Sequence, residues 1–153
     1  MVVVRPAASS ELVRLQMSRQ RSTGTTPELA LRRALHALGL RFRVNQRVGR
    51  CRPDVVFGRA RIAVFVMGDF WHSCPAHGTT PKANAAWWAE KLAATTARDR
   101  RQRFELESAG WLVVWVWECE GPSAAAAGLR GHWRVRTGRA VCAVGDQAIT
   151  GGR

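Results

Sequence analysis

The sequence predicts an α/β fold in which a mixed β-sheet carries helices on both faces. Two observations support this. The order of elements is a helix, three short strands, a long helix and a further strand, which suits a sheet covered on both sides. Two of the strand-like segments are strongly apolar: Ile62-Ala63-Val64-Phe65-Val66 is apolar on both faces, as a central strand must be, and Trp111 to Trp117 reads as another buried strand.

Residues 1–16 form a weakly patterned extension, and 17–24 a basic, flexible arm expected to order only on DNA. Thr25-Thr26-Pro27-Glu28 is a helix start, because Pro suits the first turn and Glu28 stands three residues after Thr25, as in a capping box. The helix runs from Leu29 to about Leu38 and ends at Gly39, with Leu31, Ala34, Leu35 and Leu38 on its buried face. Strands follow at Arg41–Gln46, Pro53–Phe57 and Arg61–Val66, with turns at Gly49 and Gly58. Gly68 to Lys82 reads as an irregular loop. Ala83 to Ala109 is helical, with Thr95-Thr96 as a candidate break and Gly110 as its stop. From Gly121 the Ala/Gly/Arg-rich composition shows no sustained period, which predicts a loosely packed basic tail. The division is thus 1–16 extension, 17–120 core domain, and 121–153 tail, with no internal repeat.

At 153 residues the chain is the size of one ordinary domain, and its 46% hydrophobic content supplies a packed interior. No apolar run nears the ~20 residues that span a bilayer. Cysteines 51, 74, 119 and 142 show no disulfide spacing, so a cytoplasmic location with thiols available for metal is expected. Twenty-four Lys+Arg face 11 Asp+Glu, a formal charge of +13, and all the basic residues but Lys82 and Lys91 are arginine. Guanidinium forks fit phosphate oxygens, and neutralising phosphates releases counterions, so the composition points to nucleic acid bound in a salt-sensitive way.

Three constellations carry chemistry. Asp54, at the start of one strand, and the end of the next strand near Val66 can together hold a hard divalent cation through oxygen, with His72 beyond as a base. Taken alone, Pro53-Asp54 reads better as a turn. Cys74 and His77, three residues apart, with the distant Cys119, resemble part of a tetrahedral zinc site to which Asp69 can add a fourth ligand; two buried thiols and a surface histidine would look the same. Phe70-Trp71 and Trp87-Trp88 are adjacent aromatics that cannot all face one core, so at least one should be exposed and able to stack on or wedge between bases. Core packing accounts better for Trp87, and for Trp111, Trp115 and Trp117, which alternate onto one sheet face.

In order along the chain, Met17-Ser18-Arg19, Thr26-Pro27-Glu28, Leu31-Arg32-Arg33-Ala34-Leu35-His36, Arg52-Pro53-Asp54, Val64-Phe65-Val66, Gly68, Phe70-Trp71-His72, Glu90-Lys91, Arg98-Asp99-Arg100-Arg101, Gly110-Trp111 and Val116-Trp117-Glu118-Cys119 resemble the very short patch repair (Vsr) endonuclease family. The likeness covers about Met17 to Glu120. It implies the restriction-endonuclease-like fold, Mg²⁺-dependent nicking of one DNA strand beside a T·G mismatch left by 5-methylcytosine deamination, and a structural Zn²⁺. By position, Asp54 is similar to the metal-binding carboxylate, with the Val66 carbonyl as a second Mg²⁺ ligand. His72 resembles the general base, and Glu28 the acidic residue that holds a metal-bound water. Phe70, Trp71 and Trp88 match the aromatics that enter the duplex, with Arg19, Arg21 and Lys82 as further DNA contacts. The implied partners are mismatched double-stranded DNA and mismatch-repair proteins, with the enzyme a monomer away from any membrane. Two residues depart from the pattern. Met67 stands where the family commonly has His or Asp, which predicts weakened or lost cutting. Asp69 stands where the family usually has a zinc-binding cysteine, and it can either replace that ligand or lend its carboxylate to the catalytic centre.

Overall fold

In the computed structural model, which describes residues 7, 11–19 and 23–139, the sheet is indeed mixed. Four strands, β1 (Arg43–Val44), β2 (Val55–Phe57), β3 (Ile62–Met67) and β4 (Leu112–Trp117), lie in the order β1-β2-β3-β4. The first three are antiparallel neighbours, and β3 and β4 run parallel, in register from Ile62↔Leu112 to Met67↔Trp117. A parallel pair cannot be closed by a tight turn, and the crossover here is α3 (Ala85–Ser108). The other helices are α1 (Glu11–Arg19), α2 (Thr26–Ala37) and α4 (Pro122–Thr137).

Period-2 alternation divides the core. Ile62, Val64 and Val66 of β3, with Leu112, Val114 and Val116 of β4 and Val55 and Phe57 of β2, face Leu31 and Leu35 of α2 and Ala125, Ala126 and Leu129 of α4. Ala63, Phe65, Val113 and Trp115 face the opposite way, toward Leu106 of α3 and Cys51. Helices therefore cover both faces, and the predicted α2 stripe of Leu31, Ala34, Leu35 and Leu38 is the one that packs. Gly39 ends α2 at a φ of +71°, with the Leu40 N–H donating back to the Leu35 carbonyl.

Several elements differ from their expected form. The chain after Gly121 is not loose through its first part: α4 buries Ala125, Ala126 and Leu129 against α2. Its small residues conceal any hydrophobic period, yet they are what allow close approach to a neighbouring helix. Arg136 fastens its far end, its Nε donating to the Ala60 carbonyl (2.6 Å) and a terminal nitrogen to the Gly110 carbonyl (2.9 Å). Part of the expected N-terminal extension and basic arm is the exposed helix α1, supported by Glu11 in its first turn, Arg19 in its last and an Arg14–Glu11 ion pair. Thr95-Thr96 is no break; α3 runs through it, with Thr95 Oγ1 donating to the Lys91 carbonyl (3.1 Å). Arg21, and the tail beyond residue 139 with Cys142, lie outside the described residues. No described helix is long and apolar enough to cross a membrane.

If α4 is part of the core, Leu129→Ala should lower unfolding stability by roughly 2–4 kcal/mol in urea, whereas Val135→Ala, 84% exposed, should change it by less than about 0.5. Equal small effects would show that α4 only rests on the surface.

Candidate active site and metal centre

The C-terminal ends of β3 and β4 and the N-terminal start of β2 meet at one edge of the molecule, around a cleft of about 980 Å³. Glu28, Asp54, Val66, Met67, Trp71, His72, Asp99 and Glu118 all line it. The pairing of β2 with β3 sets the position of Asp54. Val55 is the Cα partner of Val64, yet the Asp54 N–H also donates to the Val64 carbonyl (2.9 Å). Two residues thus oppose one, as in a β-bulge, a device that re-aims a side chain at the end of a ladder. The Asp54 carboxylate turns to the third strand and accepts the Val66 N–H on Oδ2 (2.7 Å), leaving Oδ1 without a hydrogen bond among the described residues. Burial pushes the Asp54 carboxyl from its ordinary 3.8 up to about 6; the Glu28 charge adds to the rise, while the Val66 N–H, Arg32 and His72 oppose it.

Glu28 is 4% exposed and held at three points. Thr25 Oγ1 donates to Oε1 (3.1 Å), while the Gly24 N–H (2.9 Å) and an Arg32 guanidinium nitrogen (2.8 Å) donate to Oε2. The expected capping box is therefore modified. Thr25 is the N-cap of α2 but makes no side-chain cap bond, because its hydroxyl is spent on Glu28. His72 is held by a residue to which the sequence reading gave no role: its Nδ1 bonds Asp99 Oδ2 (2.5 Å), while Arg98 donates to Asp99 Oδ1 (3.2 Å). Trp88, Leu92, Asp99 and Leu106 are the buried residues of α3, and their spacing of 4, 7 and 7 returns each to one face at 3.6 residues per turn. A lone carboxylate in that stripe was the available signal for Asp99. Glu118 was also missed; its Oε1 accepts the Asp69 N–H (2.9 Å), tying the end of β4 to the loop after β3.

That loop carries the second centre. One ligand atom from each of Asp69, Cys74, His77 and Cys119 lies within 4.8 Å of every other. The thiols at 74 and 119 are free and 3.8 Å apart, too far for an S–S bond of about 2.05 Å, yet close to the separation of about 3.8 Å that two sulfurs at 2.3 Å from a tetrahedral zinc would have. Asp69 Oδ1 is buried without a hydrogen-bond partner, a costly state that a cation would relieve. The Asp69 carboxylate lies with this cluster and is not among the residues that line the cleft. Desolvation of the sulfur, then hydrogen bonds with Cys74 and Asp69, push the Cys119 thiol up to about 11, so the metal-free cluster resists forming a thiolate there. The Cys74–Gly78 turn brings His77 back to the cluster. Only glycine fits at its close, since a Cβ on Gly78 would lie 2.6 Å from the Cys74 carbonyl oxygen.

The aromatics gather beside the cleft. Phe70 packs edge-on against Trp71 (centroids 5.1 Å apart) and Trp88 (5.2 Å), and Trp87 edge-on against Trp88 (4.9 Å). Trp88 departs from the expectation of a free ring. It is buried on the α3 stripe, while Phe70, Trp71 and Trp87 are half-buried. Arg19 and Lys82 are exposed and do not line the cleft, whose cationic lining is Arg52, Lys91 and Arg98. Trp111 and Trp115 pack with the α3-side cluster, Arg103 lying over the Trp115 ring at 5.0 Å, and Trp117 is half-buried apart from them.

A mixed sheet with an acidic cleft at its strand ends, an imidazole held by a carboxylate and a basic surface define a nuclease of the restriction-endonuclease-like fold. The catalytic domain of the homing endonuclease I-Bth0305I shares that fold, with a TM-score of 0.52 over 74% of this chain and 98% of that one at 18% identity. The family model for the DNA mismatch endonuclease Vsr matches residues 9–77. The type II nicking enzyme V.NaeI of Lentzea aerocolonigenes is 43% identical over 118 residues, covering 74% of this chain and 71% of that enzyme. V.XorIIP of Xanthomonas oryzae pv. oryzae, also a type II nicking enzyme, is 41% identical over 73% of this chain and 83% of its own length. The DNA mismatch endonuclease Vsr of Escherichia coli is 36% identical over 62% of each chain. This chain belongs to the Vsr family and is a DNA endonuclease.

The raised Asp54 value carries a pH signature. Because the folded state holds the proton more tightly than the unfolded chain, the contribution of Asp54 to stability is greatest below about pH 4 and is lost as pH rises through about 6; the gap between 3.8 and about 6 corresponds to about 3 kcal/mol. With EDTA present, Asp54→Asn should therefore be more stable than the parent at pH 8 and lose that advantage by pH 4, as read by urea unfolding. Parallel curves for the two proteins would refute the burial penalty.

Proposed function

We propose that this enzyme nicks one strand of duplex DNA beside a T·G mismatch, with Mg²⁺ held at Asp54 and Zn²⁺ bracing the aromatic loop. The single observation that carries the reading is the convergence of Asp54 and His72 on one cleft flanked by the Phe70–Trp71–Trp88 cluster. The relatives' names support it in two parts: several are nicking enzymes, and one is a mismatch endonuclease.

The chain's own groups have distinct tasks. With Nδ1–H engaged by Asp99, His72 presents Nε2 as the nitrogen that takes a proton from the attacking water, and the Asp99 carboxylate stabilises the imidazolium so formed. Glu28, fixed at three points, orients water at the cleft wall. Asp54, through its free oxygen, and the Val66 carbonyl would hold a divalent cation, which would supply charge neutralisation for the scissile phosphate. Arg52, Lys91 and Arg98 attract the backbone from the rim. Phe70 and Trp71, the more accessible members of their cluster, enter the stack beside the mismatch; Trp88 supports them from below. Asp69, Cys74, His77 and Cys119 would hold zinc, fixing the loop on which Phe70, Trp71 and His72 stand. Met67 is 4% exposed, and its thioether supplies no strong polar partner to the cleft, so a protein that binds mismatches without cutting them is the competing reading.

A duplex bearing one T·G pair should be nicked with Mg²⁺ far faster than its matched counterpart, and Asp54→Ala or His72→Ala should lower the rate by roughly 10²–10⁴. Salt-sensitive mismatch binding with no cleavage under Mg²⁺ or Mn²⁺ would favour the competing reading, and cutting that survives Asp54→Ala would displace the site.

Elemental analysis should find one zinc per chain, lost in Cys119→Ala, with chelation lowering the melting temperature. Zinc-free protein that melts identically with and without chelator would remove the structural metal.

A further inference from the structure

Arg32, the charged partner of Glu28, has no task of its own in the scheme above. Both residues lie on α2, four apart, with side chains 16% and 5% exposed, and the guanidinium donates to Glu28 Oε2 at 2.8 Å. Its Nε is buried with no hydrogen-bond partner, so the group is not seated there to satisfy its own donors. Placing a cation in such a position is costly unless a nearby charge requires it. The requirement comes from the cleft: the Glu28 carboxylate that Arg32 holds lines the same cleft as Asp54.

We infer that Arg32 is a positioning residue that fixes the Glu28 carboxylate and offsets one of the two negative charges on the metal-side wall, so that the site holds its divalent cation less tightly than its carboxylates alone would. Glu28 has two other anchors, the Gly24 N–H and the Thr25 hydroxyl, but neither is charged. Removing Arg32 therefore has two consequences of opposite sign. The wall becomes more negative, which strengthens attraction for a divalent ion across a partly desolvated cleft. At the same time Glu28 loses its strongest tether, and the water it orients is less well placed, which slows the chemical step. A residue that merely stabilised the fold would weaken ion binding and rate together.

This inference rests on Asp54 being the divalent-ion ligand, and the experiment separates the two. Ca²⁺ is the probe, measured by calorimetry on the full chain without DNA, beside single-turnover nicking with Mg²⁺. Arg32→Met should bind Ca²⁺ several-fold more tightly than the parent and nick at least tenfold more slowly. Arg32→Gln, which keeps an amide donor for Glu28 but no charge, should show the same tightening with a smaller loss of rate, and provides the test should the methionine variant fail to fold. Arg32→Lys, which keeps the charge but not the fork, should bind Ca²⁺ like the parent. Ca²⁺ affinity unchanged or weakened in a folded neutral variant, or nicking at the parental rate, would overturn the inference while leaving the Asp54 site standing. Equal Ca²⁺ binding by the parent and Asp54→Ala would remove the site itself, and the role of Arg32 with it.

Discussion

One hydrogen bond organises the cleft edge of this enzyme: the Val66 N–H donating to the side chain of Asp54. It joins β2 to β3 where their backbone ladder is interrupted by two residues facing one, and it turns the Asp54 carboxylate toward the ends of the parallel strands. The bond also determines which oxygen remains free. Burial makes the charge costly, so the protein holds near its surface a group that ionises reluctantly and would bind a cation readily. On the proposed reading, that local cost in stability keeps a metal ligand poised.

The remaining acidic groups of the cleft are held by contrast in full engagement. Glu28 is bound by backbone, hydroxyl and guanidinium; Asp99 is occupied by His72 and Arg98; Glu118 holds the backbone of Asp69. Each is anchored from a different element, α2, α3 and the end of β4, and so the site depends on the packing of helices on both sheet faces. Preorganisation of this kind limits the reorganisation required during reaction. The loop from Gly68 to Gly78 joins this centre to the surface, since residues 69 to 72 in succession contribute to the cysteine cluster, the aromatic cluster and the cleft.

Much of this was legible before any coordinates. The apolar strand at 62–66, the α2 stripe and the glycine that ends it are local patterns, and local patterns survive tertiary context when burial reinforces them. Asp54 with His72, and Cys74, His77 and Cys119 with Asp69, were suggested by residue types and spacing, whereas the place of Glu28 beside them came only through the ordered likeness to a family, because no spacing along the chain encodes which strand ends meet. What stayed hidden depends on three-dimensional neighbours. Asp99 looked like one more charge on a charged helix until α3 was laid against the sheet. Helix α4 was concealed by its own composition, as Ala and Gly weaken periodicity while permitting close helix contact. The sequence favoured Trp87 for the core and Trp88 for the duplex, but the face shared with Leu92 and Leu106 buries Trp88 and leaves Trp87 half-buried.

The central claim is that the Asp54 carboxylate, held through Val66, is the ligand for a hard cation, distinct from the thiol-containing cluster on the neighbouring loop. Anomalous diffraction from crystals grown with Mn²⁺ tests it most directly. Manganese density should appear against the free oxygen of Asp54 and beside Val66, with any zinc-edge signal confined to Asp69, Cys74, His77 and Cys119. Manganese bound elsewhere in the cleft, with Asp54 still bonded to Val66 and bare of metal, would contradict it.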